Sequence, residues 1–150
     1  FAMEIWNSGC VIENDMDKNA PYWDEMLGNG HKLWGVAVDD GHQKHHHCKG
    51  WVMVNAENNV DAILDALKNG SFYSSTGPVI EDFYIEDGKA FVKASEECSR
   101  IWFCADKHPS KQFCDVSEAS FDMNDGWTYV RAVVMDKNGN RAWTNPIFIK

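Results

Sequence analysis

The segment that most restricts this chain is Leu33-Trp34-Gly35-Val36-Ala37-Val38-Asp39-Asp40-Gly41-His42. Six residues without a charge end abruptly in Asp-x-His. The run is too continuous for a strand with one wet face and predicts a strand buried on both faces, the habit of parallel sheets. In open α/β sheets and βα-barrels, ligands sit beyond the carboxyl ends of such strands. Asp40 and His42 occupy that end. Two residues apart in extended chain, their side chains leave on the same side. A carboxylate and an imidazole so placed suit mixed oxygen and nitrogen coordination of a divalent metal. Asp39 faces the other way and reads as structural.

Met3-Glu4-Ile5-Trp6-Asn7 forms a second short strand before Ser8-Gly9. Between the two strands, Pro21 marks a helix start, and Asp24 and Glu25 suit its first turn. Gly28-Asn29-Gly30 stops that helix. Strand, helix, strand at this spacing is a βαβ crossover with parallel strands, which brings Asn7 and Asp40 to one rim. Asn7 then reads as a substrate contact or a positioning residue. Glu4, set among apolar neighbours, needs a partner and orients a site residue or forms an ion pair.

Farther on, Trp51-Val52-Met53-Val54 is a strand. Asn58 or Asn59 caps a helix whose apolar positions are Val60, Ile63, Leu64 and Leu67, and Gly70 ends it. Beyond Phe72 helical periodicity is lost. The segments 83–86 and 89–92 form a hairpin about Asp87-Gly88. Arg100-Ile101-Trp102-Phe103-Cys104 is a separate strand. Residues 127–135 return through Asn138-Gly139 as 141–149, where Pro146 marks an edge or a bulge. These strands predict an antiparallel β-sandwich. The fold class expected is therefore α+β: a partial βα-barrel over residues 1–78, then a small antiparallel β-sandwich over 79–150.

Charge and composition remove several functions. With 150 residues and 44% hydrophobic content the chain can bury a core, and its net charge is −9. No basic stripe exists, which argues against nucleic acid as a partner. No apolar run is long enough to cross a membrane. The five cysteines, Cys10, Cys48, Cys98, Cys104 and Cys114, include no Cys-x-x-Cys pair. They read as free thiols in a reducing, cytoplasmic setting. His45-His46-His47 reads as a solvated loop, and Trp6, Trp23, Trp34 and Trp51 as core.

The segments Met3–Ser8 and Leu33–His42, together with 62–78 and 141–147, resemble the end of a PHP (polymerase and histidinol phosphatase) metal-dependent hydrolase. The likeness is to the carbaryl-hydrolase-like branch, in which a barrel precedes a small β domain. The resemblance implies a site of two or three metals, zinc, manganese or iron, that activates water against small phosphoesters or related esters. It implies that Asp40 and His42 are metal ligands, with Asn7 and Glu4 beside them. The family's early His-x-His pair and its further His and Glu ligands have no counterpart here. The expectation is thus a C-terminal fragment of such a hydrolase, inactive alone, that pairs as a homodimer through an open strand edge. The competing expectation is a non-catalytic binding module built on the β-sandwich.

Overall fold

The structure is a computed structural model that describes residues 1–16, 19–106 and 110–149. Strand β1 (Ala2–Asn7) leads through helix α1 (Ser8–Asn14) and helix α2 (Asn19–Gly28) to strand β2 (Trp34–Val38). The two strands pair in parallel, Ala2 opposite Trp34 and Asn7 opposite Val38, so the expected crossover is present. It is the one parallel pairing among the described residues. Every other strand pair is antiparallel.

The rest is one curled, half-barrel sheet. Its strands are β3 (Trp51–Val54), β4 (Phe72–Ser75), β5 (Ile80–Glu86), β6 (Lys89–Ala105), β7 (Phe113–Asp122), β8 (Tyr129–Met135), β9 (Arg141–Thr144) and β10 (Ile147–Phe148). The spatial order is β3-β4-β9-β8-β6-β5, with β7 also on β6 and β10 also on β8. Residues on both sides of position 78 share this sheet, because β4 pairs with β9.

The partial βα-barrel is therefore not what forms. A barrel needs one parallel crossover after another. Here β2 leads into a loop, and helix α3 (Val60–Asn69) joins β3 to β4 as antiparallel neighbours. The free edge of β2 is closed by side chains instead of a third parallel strand. Asn145 Oδ1 accepts the Gly35 N–H at 2.9 Å, and Ser74 Oγ accepts the Ala37 N–H at 2.9 Å. The Ser74 hydroxyl donates to the Gly35 carbonyl at 2.8 Å. Nor is β2 buried on both faces: Gly35 and Ala37 are buried, while Trp34, Val36 and Val38 are half-buried.

The β-sandwich is also replaced by a single sheet, and the reason is β6. Its 17 residues run unbroken through the expected hairpin arm and the expected separate strand. On one edge β6 pairs first with β5 and then with β8; on the other it pairs with β7, whose register shifts between Lys93 and Cys98. One strand thus carries both halves, and the sheet curls instead of splitting.

Alternation along these strands makes two cores. Ile101, Phe103, Val130, Ala132, Val134 and Ala142 pack on one face. Cys104, Tyr129, Val133 and Trp143 pack on the other, against Ile5, Trp23 and Leu27 of the parallel unit. An ion pair between the buried Arg131 and the partly exposed Asp24 fastens the two together. The Arg131 guanidinium donates to both Asp24 oxygens, at 2.7 and 2.5 Å, and lies 4.7 Å above the Trp23 ring. Tyr129 Oη donates to the same carboxylate at 3.2 Å.

Candidate functional site

Beyond the carboxyl ends of β1 and β2 lies a polar corner. Asn7 closes β1, and its side chain caps α1: Oδ1 accepts the Cys10 N–H at 2.8 Å. That bond fixes which way the amide faces, so Nδ2 turns to the corner. There it donates to Glu4 Oε1 at 3.0 Å and to Asp40 Oδ2 at 3.1 Å. Asn7 is buried and its acceptor and both its donors are engaged. It is a bridge between two carboxylates. The sequence reading holds no helix after Asn7; the signal available for α1 was Asn7 as a helix cap.

Gly9 lets that helix start against β2. Its N–H donates to the Asp39 carbonyl at 2.9 Å, and a Cβ there would stand 2.8 Å from the Asp40 carbonyl oxygen. Any side chain at position 9 would push the two strand ends apart.

Asp39 and Asp40 part company. Asp39 Oδ1 accepts the N–H groups of Lys49 and Gly50 at 2.7 and 2.9 Å, and Oδ2 accepts that of Cys48 at 2.7 Å. It pins the far end of the loop that follows β2. Partial burial pushes its pKa up, but the three amide donors outweigh that and hold the carboxyl below the usual aspartate value.

Asp40 does not continue the extended strand. It sits at φ 47°, in the left-handed region that aspartate tolerates better than most residues. The two side chains nevertheless meet. His42 Nδ1 lies 2.9 Å from the Asp40 carbonyl oxygen and 4.0 Å from Oδ1. Donation from Nδ1 to that carbonyl leaves Nε2 as the ring atom with a free lone pair. Both side chains are open to solvent, at 47% for Asp40 and 70% for His42. Glu4 is exposed as well; its apolar neighbours Ile5 and Trp6 pack with the core, and Asn7 is the partner it needs.

His46 is the residue that sequence reading misplaced. Among Lys44, His45 and Lys49 it reads as solvated, yet it is fully buried in a single 3₁₀ turn, Lys44–His46. Its Nδ1 faces the His42 N–H at 3.4 Å, and its Nε2 lies 3.7 Å from Glu13 Oε1. The local sequence holds no signal for this, because the burial comes from α1 packing over the turn.

Chemically the corner offers one carboxylate and one imidazole that are open, and a second carboxylate held by the same amide. Among the described residues no group of three or more His, Cys, Asp or Glu side chains converges closely enough to hold a metal ion by itself. No helix there is long and apolar enough to cross a membrane. No protein-family model, curated protein or solved structure matches the chain.

Proposed function

We propose that the corner at the ends of β1 and β2 supplies Asp40 and His42 as ligands to a divalent cation, zinc, manganese or iron. On this reading the chain is part of a metal-dependent hydrolase of small phosphoesters or related esters. One observation carries it: Glu4 and Asn7 of β1 meet Asp40 and His42 of the loop after β2 in a single hydrogen-bonded set. The donor chemistry fits a borderline cation, and the supporting contacts fit too. Asn7 orients the Asp40 carboxylate, and the Asp40 carbonyl selects the His42 tautomer that leaves Nε2 open. The likeness of Met3–Ser8 and Leu33–His42 to the final motifs of PHP hydrolases supports the same assignment.

Bound there, a divalent cation would supply Lewis acidity and an activated water. The chain's own residues orient and balance charge. Asn7 bridges the two carboxylates with an N–H hydrogen bond to each, and Glu4 adds negative charge that favours a cation. Two ligands fall short of the three protein ligands usual at a hydrolytic metal. The chain alone should therefore bind metal weakly and turn over no ester.

Titration calorimetry with manganese and zinc tests this. The expected result is one ion per chain, with binding weakened at least about tenfold in Asp40→Ala and in His42→Ala. A His45→Ala/His47→Ala variant separates this site from adventitious capture by the loop and should bind as the parent does. Unchanged stoichiometry and affinity in both the Asp40 and His42 variants would remove the assignment.

A further inference from the structure

All of the chain's arginines, Arg100, Arg131 and Arg141, lie on one face of the curled sheet. The register sets them in rows. Arg100, Met135 and Arg141 are directly opposed across β6, β8 and β9, and two residues along Trp102, Val133 and Trp143 form the next row. Cys104 and Arg131 follow in the third. Residues two apart on a strand, and those opposed across strands, share a face. An arginine row thus adjoins a tryptophan row.

A cavity of about 500 Å³ opens on this face where the start of α2 meets the sheet. Pro21, Trp102, Cys104, Arg131, Arg141 and Trp143 line it. This volume suits a small-molecule ligand. Arg131 gives its Nε–H and one Nη2–H to Asp24, while its Nη1 is buried without an acceptor. Arg141 has no ion pair among the described residues, and its Nε–H is buried without an acceptor. A buried N–H left without an acceptor is costly, and a ligand acceptor would relieve that cost.

We propose that this cavity binds a planar aromatic carboxylate, with the carboxylate on Arg141 and the ring against Trp102 and Trp143. A guanidinium matches a carboxylate's two oxygens, and tryptophan faces match a flat arene. The charge of the wall selects a monoanion. Asp24, Glu25 and Asp106 also line the cavity, so a phosphate dianion meets more repulsion there than a monoanion does.

Isothermal titration of the whole chain with 2-naphthoate tests the assignment. Saturable one-site binding is expected, with the neutral 2-naphthamide and the Arg141→Gln variant each weaker by at least about tenfold. The dianionic 2-naphthyl phosphate should bind less tightly than the carboxylate. Arg141 makes no side-chain hydrogen bond among the described residues, so Arg141→Gln should keep its near-ultraviolet circular dichroism. Equal affinity for naphthoate and naphthamide would overturn the proposal, as would an unchanged Arg141→Gln or no saturable heat. Tighter binding of the phosphate would overturn the choice of a monoanion. The amide comparison uses the unaltered protein, so a variant that fails to fold leaves the test decisive.

Discussion

Asp39 and Asp40 are the same residue type in consecutive positions, and their surroundings give them opposite work. Asp39 is tied down by three backbone donors; Asp40 is turned outward by a left-handed backbone and steadied by Asn7. The first arrangement carries a pH signature. A carboxyl whose folded pKa lies below its unfolded value of 3.8 stabilises the fold above that value. The contribution is lost as pH falls through the lower, folded pKa. Hydrogen exchange at the Cys48, Lys49 and Gly50 amides should therefore accelerate relative to the rest of the chain below about pH 4. In Asp39→Asn the same amides should exchange fast at neutral pH, with little further change on acidification. Protection in that variant equal to the parent at pH 7 would show that the loop is held by other contacts. The direction in which Asp39 faces was legible from alternation along β2. The φ of Asp40 was not, because it is set by the loop closing onto Asp39.

Among the elements, those governed by local rules were legible and those governed by pairing were not. Asn59 accepts the Ala62 N–H at 2.9 Å and Gly70 ends the helix at φ 75°, so α3 stands where its caps and periodicity put it. The Asp87-Gly88 and Asn138-Gly139 turns follow equally from residue type. By contrast β7 is half polar and more than half exposed, and its strand character comes from β6 alongside. The apolar run of β2 suggested two buried faces because small residues look apolar. Gly35 is small for another reason: a Cβ there would lie 2.7 Å from the Trp23 ring. The contact between elements that matters most, α2 against β8, was invisible, since Asp24 and Arg131 lie 107 residues apart. Arg131 is 2% exposed and Asp24 30%. Removing one partner strands a buried guanidinium, so Asp24→Ala should cost about 3 kcal/mol in denaturant unfolding. Glu25→Ala, one residue on, should stay within about 0.5 kcal/mol. Equal losses in the two variants would show that the pair contributes nothing beyond helix packing.

At the scale of the whole molecule, the rim shared by Asn7 and Asp40 was legible because a single βα crossover suffices to build it. The barrel was not, because closing one depends on every later connection, and here the chain turns antiparallel after β2. That leaves β1 in an unusual position. Parallel strands seldom stand in pairs, and one edge of β1 has no neighbour among the described residues. The other edge of the pair is closed by Ser74 and Asn145. Exposed apolar side chains gather in the same part of the chain: Phe1, Ile12, Met16 and Tyr22 are each more than two-fifths exposed. An unpaired strand edge is a template for another strand. A second copy carries the same edge, and a two-fold pairing of like edges closes on itself. The chain should accordingly dimerise through β1. Sedimentation velocity over an about hundredfold range of concentration should show a monomer passing to a dimer, as mass action requires. The β1 amides should gain hydrogen-exchange protection over the same range, while those of β8, already paired on both edges, should not. A single monomeric species throughout, with β1 amides slow to exchange at the lowest concentration, would mean that this edge is covered within one chain.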